Sequence, residues 1–136
     1  MSGQKAGFDI HVPFLEHLGI RITEKGDGVV RLRLEPRPEF ENSWGSVHGG
    51  VLMTMLDVAL ASAGRSLDAR CNGALTVEMK VNFIAAASGP VLAEGRAQRA
   101  GRSLIFSEGE LTSEDGTLLA KATGTFKLLY PSQDKD

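Results

Sequence analysis

Residues 49–67 limit the folds open to this chain more than any other stretch. Val51, Leu52, Met53, Met55, Leu56, Val58, Ala59, Leu60, Ala61 and Ala63 place apolar groups on every side of a helix. A helix that is apolar all round is expected to be buried all round. At a rise of about 1.5 Å per residue it would run close to 30 Å, enough to pass through the middle of a small domain. Asp57 lies halfway along this segment, and burying an unpaired carboxylate costs on the order of several kcal/mol. Whatever wraps this helix must also deal with that charge.

The wrapping is predicted to be β-structure. Ile10, Phe14, Leu15 and Leu18 first mark a short helix, with Pro13 early in it and Gly19 ending it. Gly26-Asp27-Gly28 is a turn, after which Val30, Leu32 and Leu34 alternate with Arg31, Arg33 and Glu35 as in a half-buried strand. Pro36 and Pro38 open a loop over residues 36–48. Beyond the long helix, Leu75, Val77, Met79, Val81 and Phe83 alternate with Thr76, Glu78, Lys80 and Asn82. Turns at Ser88-Gly89-Pro90, at Gly101 and at Ser113-Glu114-Asp115-Gly116 then separate strand-like runs at 91–99, 104–112 and 118–129. Short connections between successive strands favour an antiparallel meander. The expected fold class is α+β: one domain over residues 1–136, with a long central helix wrapped by a bent antiparallel sheet of about five to six strands. The ends, 1–8 and 131–136, read as frayed tails. One helix cannot cover so much sheet, so a homodimer at least is expected.

Composition narrows the function. Apolar residues make up 42% and charged residues 24%, a balance that suits a folded chain rather than a disordered one. A net charge of −2 gives no general attraction to nucleic acid or anionic membranes. Cys71 is the only cysteine, which removes intrachain disulfides and thiolate metal clusters. His11, His17 and His48 lack metal-ligand spacing, so no metal and no cofactor is expected. The first residues lack the apolar run of a signal peptide, and no stretch of about 18 apolar residues could span a bilayer. A cytoplasmic location is the expectation.

Three features can carry chemistry. Asp57 is either a structural aspartate satisfied by nearby donors or an acid-base group held in a cleft. The run Asn42-Ser43-Trp44-Gly45-Ser46-Val47-His48-Gly49-Gly50 leads into the helix. Two glycines there either permit a tight turn or leave N–H groups, at the positive end of the helix dipole, open to a developing oxyanion. Arg96, Arg99 and Arg102 around Gly101 are either solvated hairpin charges or a phosphate-binding patch. Gly49 and Asp57, eight residues apart, stand about 12 Å apart along one helix. Groups that act on one carbonyl must each lie within about 3 Å of it or of its bound water. If both serve one reaction, they come from different chains, as two antiparallel helices across a twofold axis would allow.

Asn42 followed six residues later by His48-Gly49-Gly50, then Asp57, then Leu75-Thr76-Val77-Glu78-Met79, resembles the hotdog-fold acyl-CoA thioesterases of the phenylacetate-degradation (PaaI-like) group. The turn Arg99-Ala100-Gly101-Arg102-Ser103 and the stretch from Glu114-Asp115-Gly116 to Phe126 fit as well, so the resemblance covers residues 14–126. It implies dimers, often paired into tetramers, that hydrolyse an acyl-CoA. In that reading Asp57 is the general base or nucleophile, and Gly49 of the other subunit donates its N–H to the thioester oxygen. His48 and Asn42 polarise the carbonyl and position the reactive groups, while Thr76 orients water. Gly50, Arg99, Gly101, Arg102 and Ser103 contact the substrate. Met53, Met55, Leu56 and Phe83 are expected to wall the acyl pocket, whose acyl group could be aryl, arylacetyl or medium-chain. A non-catalytic acyl-CoA sensor and a hotdog hydratase or dehydratase are the alternatives. The first is disfavoured by Asp57, the second by the missing His-Phe-Pro loop.

Overall fold

Turn chemistry sets the element boundaries in the computed structural model, which describes residues 11–132. The expected tail at 1–8, all but the first two residues of the expected tail at 131–136, and Ile10 of the first helix lie outside the described residues. Helix α1 spans Pro13–Leu18 and buries Leu15 and Leu18; Gly19, at φ 77°, closes it with its N–H on the Leu15 and Glu16 carbonyls. Strand β1 (Arg21–Gly26) is one the sequence pattern did not reveal. It is an edge strand whose mostly exposed residues show no apolar alternation. It turns into β2 (Val29–Leu34) through Asp27 (φ 50°) and Gly28 (φ 88°). Two residues in the left-handed region match the twist that a two-residue hairpin loop needs. A single 3-10 turn, Pro38–Phe40, then buries Phe40 in the loop before the long helix.

That helix, α2, runs Gly49–Arg65. Leu52, Met55, Leu56, Ala59, Leu60, Ala63 and Gly64 form its buried face. Met53 is 42% exposed and Asp57 and Ala61 are only half-buried, so burial on all sides does not occur within one chain. The apolar residues off the packed face are surplus to the monomer core. Strands β3 (Gly73–Phe83), β4 (Val91–Arg99), β5 (Leu104–Ser113) and β6 (Leu118–Leu129) complete a six-stranded antiparallel sheet. Its order, β1-β2-β4-β5-β6-β3, corrects the expected meander: β3 pairs with β6 at the far edge, not with β4. Residues 84–90 are a crossing rather than a tight turn, tied down where the Val47 N–H bonds the Ala87 carbonyl at 2.8 Å. Among the described residues no helix is long and apolar enough to cross a membrane.

The helix sits on the sheet with unusual closeness. Gly95 of β4 and Gly109 of β5 pair directly. A Cβ on Gly95 would lie 2.7 Å from the Ala59 carbonyl carbon, and one on Gly109 would lie 2.8 Å from the Leu60 side chain. Beside them the buried Ser107 hydroxyl donates to the Leu60 carbonyl at 3.0 Å. The far end of α2 is fixed by charge. Asp68, 7% exposed, accepts from the backbone N–H, Nε and Nη2 of Arg70 at 3.0 Å each, and from Arg99 Nη2 and the Tyr130 hydroxyl at 2.8 Å. This one carboxylate ties the α2–β3 loop to the ends of β4 and β6. The bonds from Arg70, and then from Tyr130, hold its carboxyl well below the usual carboxylate range.

Two outcomes follow from this packing. Gly95→Ala has no flexible neighbour to displace, so it should cost about 1–3 kcal/mol or more in denaturant unfolding. Asp68→Asn should lower the melting temperature at pH 7. Because the folded carboxyl titrates below its unfolded counterpart, its stabilisation is complete above about pH 4 and fades as pH falls further. The gap between variant and wild-type melting temperatures should therefore narrow below about pH 4.

Candidate active site

Asp57 and Thr76 meet because of a fault in strand β3. Thr76 pairs with Phe126 and Glu78 with Thr125, which leaves Val77 as an extra residue in a β-bulge. Simple alternation puts Thr76 on the same side as Glu78, the polar side expected from sequence. The bulge breaks that parity. Thr76 instead shares the face of the fully buried Phe126, while Glu78 faces out and accepts from the Thr125 hydroxyl at 2.9 Å. From the inner face the Thr76 hydroxyl donates to Asp57 Oδ1 at 2.5 Å. Asp57 Oδ2 has no hydrogen-bond partner among the described residues. The carboxylate is thus half-exposed, anchored at one oxygen and available at the other, which is what a base or nucleophile needs.

The second centre is the start of α2. His48 is its N-cap, and its Nδ1 accepts from the Gly50 N–H at 2.8 Å. With Nδ1 accepting, the proton of a neutral imidazole lies on Nε2, leaving an N–H donor pointed away from the cap. Gly50 therefore spends its N–H within the chain. The Gly49 N–H has no partner among the described residues, and the Phe83 ring lies 3.5 Å from where a Gly49 side chain would begin. Asn42 Oδ1 accepts from the N–H groups of Trp44 (2.8 Å) and Ser46 (3.1 Å), which locks the loop that leads into the helix. Its carbonyl oxygen is thereby occupied in shaping that loop.

The basic turn is less open than its composition suggests. Arg99 gives its guanidinium to Asp68, to Tyr130 and to the carbonyls of Gly101 and Arg102 within the turn itself. The Ser103 carbonyl accepts from the Leu128 N–H at 2.7 Å. Arg102 and Gly101 are exposed, and the Arg102 side chain has no partner among the described residues. Arg96 lies elsewhere, on the outer face of the sheet, bonded to Glu94 and Glu110. Met55 and Leu56 are fully buried against the sheet and cannot wall a pocket, whereas Met53 and Phe83 remain open. Sequence reasoning missed Asp68 and Tyr130 as the groups that hold Arg99. The spacing of Asp68 and Arg70 was the only local hint of that clamp. Among the described residues no three His, Cys, Asp or Glu side chains gather closely enough to hold a metal ion.

Within one chain the site is divided. Asp57–Thr76 and His48–Gly49 are separated by two turns of α2, about 12 Å along its axis.

Comparison with known proteins gives this arrangement its setting. Residues 45–120, which contain His48, Gly49, Asp57 and Thr76, match the family described as the Thioesterase superfamily. SSO2140 of Saccharolobus solfataricus, whose name assigns it provisionally to the esterases, is 34% identical, with 78% of this chain and 74% of that protein covered. The Salmonella typhimurium protein named medium/long-chain acyl-CoA thioesterase YigI is 27% identical, with 88% of this chain and 87% of its own covered. Among solved structures, PA5202 of Pseudomonas aeruginosa superposes with a TM-score of 0.81 at 31% identity, covering 93% of this chain and 99% of the other. With more than half its length inside the family match, and with a six-stranded antiparallel sheet around one long helix, this chain belongs to the thioesterase superfamily and has its hotdog fold.

Proposed function

We propose that the protein is an acyl-CoA thioesterase of the PaaI-like group, acting on cytoplasmic thioesters at a site shared by two subunits. The observation that carries this reading is the placement of both half-sites along one open strand edge. β3 is the last strand of the sheet, and Leu75, Val77 and Phe83 on it are 54%, 60% and 52% exposed. Thr76, near one end, touches Asp57; Phe83, at the other, lies against Gly49. Two β3 edges paired antiparallel about a twofold axis near Met79 and Lys80 would set Thr76 opposite Phe83 of the partner subunit. That pairing brings Asp57 to Gly49 of the partner subunit and closes the 12 Å gap twice per dimer. It also covers Met53 and the open face of α2. Leu104 and Phe106, exposed on the outer sheet face, support a further pairing of dimers.

In this arrangement the thioester carbonyl lies between the two half-sites. The Gly49 N–H, at the positive end of α2, stabilises the oxyanion, assisted by the Nε2 proton of His48. Asp57, oriented by Thr76, either takes a proton from the attacking water or attacks the carbonyl itself. On the first route water adds its oxygen to the acyl carbon, the C–S bond breaks, and the proton held by Asp57 passes to the leaving sulfur. On the second, Asp57 displaces the thiolate to give a mixed anhydride, which water hydrolyses with release of a proton to the thiolate. Either way the products are the free acid and the thiol of coenzyme A. Arg102, with Gly101 and Ser103 beside it, is the basic group open to the coenzyme phosphates, and Arg99 shapes that turn from within. The name of the Salmonella relative supports an acyl-CoA substrate. The two half-sites act on the thioester group itself, so aryl, arylacetyl and medium-chain acyl groups are equally compatible with them.

Thiol release from a panel of acyl-CoA thioesters tests the proposal. Asp57→Asn should lower kcat about 100-fold or more while circular dichroism and light scattering report an unchanged fold and dimer. Thr76→Val keeps the side-chain shape and removes the donor. Loss of a hydrogen bond to a charged group, about 1.5–3 kcal/mol, corresponds to a fall in kcat of about tenfold or more. Full activity in Asp57→Asn would rule the mechanism out, and tight binding with no thiol release in the wild type would point to a sensor.

A further inference from the structure

We infer that the groove leading from Gly49 past Phe83 and Ile84 to Trp44 receives the acyl group, and that the preferred substrates carry an extended apolar acyl chain. This rests on the thioesterase reading and goes beyond it by naming the substrate class and the side chains that select it.

The groove is shallow and open, with a volume of about 390 Å³, and Val47, Leu52 and the run Ala85-Ala86-Ala87 add to its apolar lining. That volume lies within the range of small-molecule sites. Two of the chain's large exposed apolar side chains lie on it beyond β3, Trp44 at 86% and Ile84 at 52%, while Phe83 lines its Gly49 end, where the proposed seam between subunits runs. Contiguous exposed apolar surface of this kind marks a binding site rather than ordinary surface. Trp44 is not loosely displayed. It sits at the tip of the 42–46 loop, which is held by the two bonds to Asn42 Oδ1 and by the Asn42 N–H bond to the Ser46 carbonyl at 2.8 Å. A large aromatic carried on that fixed backbone at the mouth of a groove can set how long an occupant fits.

Direction follows from the chemistry of the two substituents on a thioester carbonyl. The thiol side bears amides and phosphates, which need polar partners. The groove's polar lining is Asn42 and Ser46, and the Asn42 side-chain oxygen and the Ser46 backbone are already bonded within the loop. Its remaining walls are mainly apolar, and burying amides or phosphates unpaired against them is costly. The acyl side, if it is hydrocarbon, gains from the same walls. Each methylene moved out of water corresponds to roughly a three- to fourfold gain in binding. Acetyl groups would leave the groove empty, and acyl groups ending in a charge would be rejected by it.

Trp44 is the only tryptophan, so its emission reports directly on this groove. Non-hydrolysable S-alkyl coenzyme A thioethers, from methyl to decyl, would be titrated against the wild-type protein while tryptophan emission is followed. In parallel, kcat/KM for acetyl- through decanoyl-CoA would be measured on wild type, Trp44→Ala and Ile84→Ser, with the assembly state of each monitored by light scattering. S-octyl-coenzyme A should shift the emission to the blue and S-methyl-coenzyme A should not. Both substitutions should lower the octanoyl-to-acetyl ratio of kcat/KM by about tenfold, with the assembly intact. Turnover without chain-length dependence, or with no emission change on S-octyl-coenzyme A, would overturn the inference and leave the thioesterase reading standing. Dissociation of the assembly on Trp44→Ala would also overturn it, making the patch a contact between subunits. If no thioester releases thiol, the catalytic reading falls instead, and the thioether titration alone decides whether the groove binds apolar chains.

Discussion

The closeness of α2 to β4 and β5 is the constraint on which the site depends. Gly95 removes a side chain where the helix crosses β4, so the Ala59–Leu60 backbone rests almost on that strand, and Gly109 beside it makes room for the Leu60 side chain. The Ser107 hydroxyl then satisfies the Leu60 carbonyl in that buried contact. A helix seated this low and held from below cannot roll easily. Its rotation decides whether Asp57 faces β3 or solvent, and its depth decides whether the Thr76 hydroxyl can reach. The 2.5 Å bond between them is therefore an outcome of packing two residues further along the helix, not of local attraction alone.

A helix held on one face leaves its other face to be explained. The buried stripe from Leu52 to Gly64 follows ordinary helical spacing, while Met53, Asp57 and Ala61 line up on the open side. The neighbouring β3 edge is open as well. Both surfaces, one apolar and one rich in unsatisfied backbone groups, border the same functional residues. Their coincidence makes a shared, two-chain site the economical reading of a chain whose reactive groups are otherwise too far apart.

Much of this was legible in the residues, and the failures have physical causes. The long helix, the Asp27-Gly28 turn and the Asp115-Gly116 hairpin were readable because period, glycine placement and turn chemistry agree there. β1 escaped notice because an exposed edge strand carries no apolar alternation. The order of strands could not be read, since alternation fixes which face a residue takes but not which neighbour a strand takes. Thr76 was assigned to the polar side because parity counting assumes an unbroken strand, and Val77 breaks it. Arg99 looked like a free cation because its partner Asp68 is 31 residues away in sequence. Met55 and Leu56 looked like pocket walls because an all-apolar helix does not announce which of its faces meets the sheet.

The strand order has a bearing on how the molecule is made. β3 is bonded only to β6, the final strand, so its partner is synthesised some 35 residues after β3 itself is complete. β1, β2, β4 and β5 can already pair in sequence while the chain grows. Closing a loop of that length is slow compared with zipping a hairpin. The edge that bears Thr76 is thus the last part of the sheet to form on a nascent chain, and Asp57 acquires its hydrogen-bond donor only once the C-terminal strand has left the ribosome.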